Sequence, residues 1–149
     1  MPTRQPILLF QVATPGLARR PARAFAKRLE LEVAGGRSFC CLITGDQELR
    51  RLNRQFLKKD YATDVLSFPA LASTDGVLGE IAISFDQARL QAAEHGHAVG
   101  DEVAVLMLHG VLHLLGMDHE TDRGQMARAE RRWRSRLGLP AGLIERRTA

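Results

Sequence analysis

Three observations predict a single domain that mixes strands with helices. The chain has 149 residues, within the usual span of one domain, and its 45% hydrophobic content is enough for a core. Short apolar runs bounded by glycine, proline or polar turn residues read as strands, and longer stretches with capping signals read as helices. The stretch from Val103 to Leu115 is apolar around nearly its whole circumference, the pattern of a helix buried at the centre of a fold.

Ile7 to Val12 reads as the first strand, followed by a helix over Leu17 to Leu31, where Leu17, Ala24, Phe25, Arg28 and Leu29 repeat loosely at helical spacing. Gly35-Gly36 breaks the chain before a second strand at Ser38 to Thr44. Thr44 and Gln47 stand three apart, which predicts a capping box opening a helix to about Leu57. Val65 to Phe68 is a short strand stopped by Pro69; a turn at Ser73-Thr74-Asp75-Gly76 leads to another strand, Leu78 to Ser84, which pairs with it as a hairpin. Ser84 and Gln87 repeat the capping pattern, so a helix runs from Phe85 to about Glu94, ended by Gly96 and followed by a loop through Gly100. Asp101 and Glu102 put negative charge in the first turn of the apolar helix. Gly116 can close that helix, and Thr121 can start a last one reaching Leu137, with Gly138 and Pro140 beyond. There is no repeat, low-complexity segment or linker, so residues 1–149 form one unit.

Composition narrows the function classes. No apolar run approaches the roughly 20 residues of a membrane span, and Ile7 to Val12 is shorter than the core of an export signal, which predicts a soluble, cytoplasmic protein. Cys40 and Cys41 are adjacent on a strand, so their side chains point to opposite faces and stay free thiols in a reducing compartment. The net charge of +4 favours an anionic partner, although eighteen arginines against three lysines can also reflect a genomic bias. From Arg123 to Arg147, eight arginines stand against Glu130 and Glu145, a basic face that suits phosphate contact or simply solvates a helix.

Three of the five histidines fall within eleven residues. His109 and His113 are four apart on one helix face, about 6 Å along the axis, an arrangement that lets two imidazoles grip one ion. After the turn at Gly116, His119 can fold back to offer a third nitrogen. Burying several imidazoles in a wall of Val105, Leu106, Leu108, Leu112 and Leu115 is costly unless each finds a partner, and one ion satisfies all three. Three protein ligands leave an open fourth position where a metal-bound water can be activated, the mark of a catalytic zinc. The spacing matches the zinc-peptidase motif H-E-x-x-H-x-x-G-x-x-H, but Gly110 replaces the glutamate that serves peptidases as base. Asp118 can orient a ligand imidazole or stabilise the turn. His95 and His97 fall in an expected loop and are not expected to bind metal.

The segment His109 to His119, H-G-V-L-H-L-L-G-M-D-H, closely resembles the signature of the YbeY family of bacterial endoribonucleases. Leu52-Asn53, Lys59-Asp60, Thr63-Asp64-Val65-Leu66-Ser67-Phe68-Pro69 and Gly79-Glu80-Ile81-Ala82-Ile83-Ser84 resemble the family's other blocks in order, so the likeness spans Leu49 to Asp122. It implies a single α+β domain, a small mixed sheet packed with helices and zinc-site histidines on a central buried helix, in a zincin-like arrangement. It also implies hydrolysis of single-stranded RNA in ribosomal RNA maturation, with contact to the small ribosomal subunit and its assembly factors, in ribosome assembly and quality control. The chain departs from the family pattern twice. Met117 stands in the place of a tyrosine, and Phe56 is followed by Leu57 instead of an arginine. The second change leaves Lys58, Lys59 or Arg54 as candidates for the phosphate-facing cation.

The expected chemistry is activation of a water or polarisation of a phosphodiester by the ion, with nearby cations stabilising developing negative charge. No base is evident, and the RNA 2′-hydroxyl can itself be the nucleophile, leaving a cyclic phosphate where attack by water leaves none. Zinc is the expected ion, although imidazole also suits Ni2+, copper and iron. Two other functions remain open at this stage: a noncatalytic ribosome-assembly factor stabilised by its metal, and a zinc peptidase.

Overall fold

The computed structural model describes residues 7–61, 63–70, 76–118 and 121–140. Four strands form one sheet: β1 (Ile7–Phe10), β2 (Ser38–Thr44), β3 (Val65–Pro69) and β4 (Val77–Ser84). Their order is β1-β2-β4-β3, with β1–β2 and β2–β4 parallel and β3–β4 antiparallel, so the sheet is mixed. Five helices accompany it among the described residues: α1 (Arg19–Arg28), α2 (Asp46–Leu52), α3 (Phe85–His95), α4 (Val99–Leu114) and α5 (Gln125–Leu137). The fold is α+β, as expected. The expected turn at 73–76 and the segment through His119 fall partly or wholly outside the described residues.

Helix α4 is the centre of the molecule. Met107, Leu106, Leu108, Val111 and Leu112 are all buried, and the helix packs on β3, β4 and α3. Truncating one of these leucines would cost about 2–5 kcal/mol, because the lost transfer energy adds to that of the cavity left behind. The helix fits so closely over the sheet that a Cβ on Gly110 would lie 2.9 Å from Ile81 Cγ2. Ser67 Oγ on β3 donates to the Gly110 carbonyl at 3.0 Å and ties the end of the sheet to this turn of α4.

Several expected boundaries shift. Helix α1 starts at Arg19 and gives way at Leu29 to a wider turn over Leu29–Val33, where Ala34 N–H reaches the Leu29 carbonyl at 2.9 Å. Helix α2 likewise widens at Asn53–Leu57 and ends at Lys58, the one described non-glycine residue with positive φ, at 58°. The capping box at Thr44 and Gln47 does not form: the Thr44 hydroxyl donates to Gln11 Oε1 at 2.8 Å, and Gly45 is the cap residue. Ser84 does cap α3, accepting from Gln87 N–H at 3.2 Å, but the Gln87 side chain turns to Asp46 instead of reciprocating. Helix α4 begins at Val99, so Gly100 belongs to its first turn and not to a loop. His95 ends α3 rather than lying in a loop. Helix α5 starts at Gln125 and not Thr121, because the Asp122 carboxylate accepts from Gly124 and Met126 N–H and holds the preceding residues in a turn.

Candidate functional site

The two helical histidines converge. His109 Nε2 and His113 Nε2 are 3.1 Å apart, with ring centroids separated by 4.7 Å and planes inclined at 73°. Two zinc–nitrogen bonds of about 2.0–2.1 Å at a tetrahedral angle place their nitrogens about 3.3 Å apart, so the pair fits one ion with little adjustment. A hydrogen bond from ring to ring spans the same gap; metal analysis separates the two. Among the described residues no third ligating side chain completes the set, and His119 lies outside them.

Helix α4 ends in a Schellman turn: Gly116, with φ of 93°, donates to the His113 carbonyl at 2.9 Å, and Met117 N–H donates to that of Leu112 at 3.1 Å. This turn carries Met117 and Asp118 back along the site. Both line, with His109 and His113, a cleft of about 590 Å³ whose far wall comes from β3 and the segment before it, including Leu57, Lys59, Tyr61, Asp64 and Ser67. The Asp118 carbonyl accepts from Thr121 N–H at 3.3 Å and from Asp122 N–H at 3.1 Å.

Sequence reasoning missed the partner of His109. Its Nδ1 lies 3.3 Å from Glu130 Oε2 on α5, and both side chains are buried. With Glu130 as a carboxylate, Nδ1 donates and Nε2 turns its lone pair toward His113, the tautomer a metal ligand requires. A signal was present: Met126, Ala129, Glu130, Trp133 and Leu137 form the inward stripe of α5, and a carboxylate on such a stripe calls for a partner.

The candidate cations separate. Lys59 lines the cleft, and so does Leu57. Arg54 instead lines a second cavity with Arg50 and Arg51 and approaches Asp60 to 3.7 Å. Lys58 is exposed at the left-handed end of the α2 extension. His95 and His97 stack at 6.0 Å away from the cleft, and His97 Nε2 pairs with the buried Glu102 at 2.7 Å. The arginines at 128, 131, 132 and 136 are exposed on α5, while Glu145, Arg146 and Arg147 of the expected basic face lie outside the described residues. At the position of the peptidase glutamate, Gly110 faces the buried Ile81, where a longer side chain has no room. Cys40 is half-buried and Cys41 buried, both unbridged. No described helix is long and apolar enough to cross a membrane.

The solution structure of TM1509 from Thermotoga maritima is similar to this fold, with a TM-score of 0.58 and 26% identity over 87% of this chain and 93% of that one. The curated "Endoribonuclease YbeY" of Solibacter usitatus is 64% identical over 89% of this chain and 88% of its own length. The protein of the same name from Koribacter versatilis is 55% identical over 72% of this chain and 69% of its own. The family model described as endoribonuclease YbeY matches residues 17–138, which include the helical histidine pair, Gly116 and Glu130. On this agreement of sequence and fold, the chain belongs to the endoribonuclease YbeY family.

Proposed function

We propose that this protein is a metal-dependent endoribonuclease that hydrolyses single-stranded RNA, with ribosomal RNA precursors as its substrate and the small ribosomal subunit as its setting in the cytoplasm. The observation that carries the reading is the convergence of the His109 and His113 Nε2 atoms on one cleft. The relatives' shared name, endoribonuclease, supplies the reaction class. His109, His113 and His119 would hold the ion, with zinc the expected one. When bound, it supplies Lewis acidity for phosphodiester cleavage.

The chain's own residues prepare that chemistry. Glu130 fixes the His109 tautomer and ring plane, so the ligand nitrogen is already aimed before the ion arrives. Ser67 holds the carbonyl of Gly110, next to His109, and keeps the helical turn at a set distance from the β3 wall. Lys59 provides positive charge on the cleft for a phosphate, in place of the arginine that Leu57 displaces. The cleft is open on one side, and a flexible single strand enters such a site more readily than a duplex.

The test compares single-stranded and duplex oligoribonucleotides with protein as purified, after chelator treatment, and after zinc is restored. Cleavage of the single strand that is lost on chelation and returns with zinc is expected. A folded, metal-replete protein that leaves RNA uncut would overturn the reading in favour of a noncatalytic assembly factor.

A further inference from the structure

Among the described residues seven large hydrophobic side chains are exposed, and three of them, Phe56, Leu57 and Tyr61, fall within six positions. Leu57 and Tyr61 line the same cleft as the histidine pair. Phe56 stands beside them with its ring edge-on to Phe68 of β3, centroids 5.4 Å apart. Exposed apolar groups of this size are a liability in water unless something covers them.

The segment that carries them is held firmly. The buried Asn53 side chain donates from Nδ2 to the Tyr61 carbonyl at 2.9 Å, and the Asn53 carbonyl accepts from Lys59 N–H at 3.2 Å. The Arg50 guanidinium forks onto both oxygens of Asp60, at 2.9 and 3.3 Å. A ring presented on an anchored backbone loses little freedom when it binds. The exposed charges beside it are Lys58, Lys59 and Asp60, the last paired with Arg50 and Arg54, and Asp64 and Asp118 line the cleft together with Lys59.

We propose that Tyr61 and Leu57 form a nucleobase-stacking wall on the cleft, on which one unpaired base of the RNA lies while Lys59 contacts its phosphate. The occupant is single-stranded RNA because the cleft sets two exposed apolar side chains, Leu57 and Tyr61, beside one cation, Lys59, as an unpaired base and its phosphate require. Every base has a π-face, so the wall tolerates sequence, but it rejects a duplex, whose bases are already stacked. Leu57 thereby has a role where the family pattern has a cation: it widens the apolar wall, and Lys59 is the lysine that lines the cleft. The inference rests on the endoribonuclease reading for its ligand.

The test measures binding of a 2′-O-methyl single-stranded oligonucleotide, and KM and kcat for the matching RNA, with wild type, Tyr61→Ala and Tyr61→Phe. Tyr61→Ala should weaken binding and raise KM about 5- to 100-fold with kcat within about twofold, and Tyr61→Phe should stay near wild type. Oligonucleotides with an abasic site at each position in turn should include one register at which wild type and Tyr61→Ala bind alike, which a purely structural role would not produce. RNA cut by wild type with unchanged KM in Tyr61→Ala overturns the stacking wall and leaves the endoribonuclease reading standing. Tyr61-dependent, abasic-sensitive binding by a protein that cuts no RNA supports the wall and overturns the endoribonuclease reading. Equal oligonucleotide binding by all three proteins overturns the wall, and a protein partner then becomes its occupant.

Discussion

His109 and Glu130 meet between α4 and α5, Nδ1 to Oε2 at 3.3 Å, with each side chain only 2% exposed. The contact joins the histidine pair to the arginine-rich helix and gives a buried imidazole a fixed orientation. A carboxylate acting on a ligand from behind tunes affinity without touching the ion.

Glu130→Ala therefore removes the buried carboxylate that faces His109 Nδ1. It should cost about 1–3 kcal/mol in urea unfolding and weaken metal binding about 10- to 100-fold in a competition titration. Glu130→Gln keeps an acceptor and should recover most of the stability. Unchanged metal affinity in Glu130→Ala would show that the contact does not orient the ligand.

Gly110 separates this site from a zinc peptidase. Placing glutamate there drives its side chain into Ile81 and buries a charge, so Gly110→Glu should destabilise the fold by more than about 3 kcal/mol and create no peptidase activity. Thermal unfolding and a casein assay check both halves. A stable, casein-cutting variant would contradict the packing described.

The two thiols predict an alkaline limb of instability. Burial holds the Cys41 thiol far above its ordinary value, and burial, then the charge of Glu80, raises Cys40. Below the ordinary thiol pKa of about 8.5 both states keep these protons. Above it the unfolded chain releases protons that the folded one retains, so stability falls as pH rises toward the raised folded values. A Cys40→Ser/Cys41→Ala variant should lose less stability between pH 7.5 and 9.5 than wild type, measured by urea midpoints; equal losses would refute the assignment.

Asp122 sets the start of α5 by accepting from Gly124 and Met126 N–H at 2.9 and 2.8 Å. Asp122→Ala should cost about 1 kcal/mol, as loss of a helix cap does, and Asp122→Asn less. Circular dichroism melts resolve the difference.

The strands were legible because each is a short apolar run between strong turn residues, and α4 was legible because its burial is written around its whole circumference. The histidine pair was legible because four-residue spacing on a helix is a geometric statement. What stayed hidden depends on residues far apart in sequence. The start of α2 is held by Asp86, forty positions away, whose carboxylate accepts from Asp46 N–H at 2.8 Å, while Thr44 turns to Gln11. Glu130 reaches His109 across twenty-one positions. Local pattern also misplaced Gly100, because glycine marks a loop only where its neighbours do not already continue a helix. Of the three candidate cations, only the fold distinguishes Lys59 on the cleft from Arg54 beside Asp60.

The most direct test is the metal content of freshly purified protein beside a His109→Ala variant, with RNA cleavage measured on the same samples. One ion per chain with cutting in wild type, and neither in a variant that still folds, is the predicted result. A folded variant that keeps its metal, or that cuts RNA without it, would contradict the account.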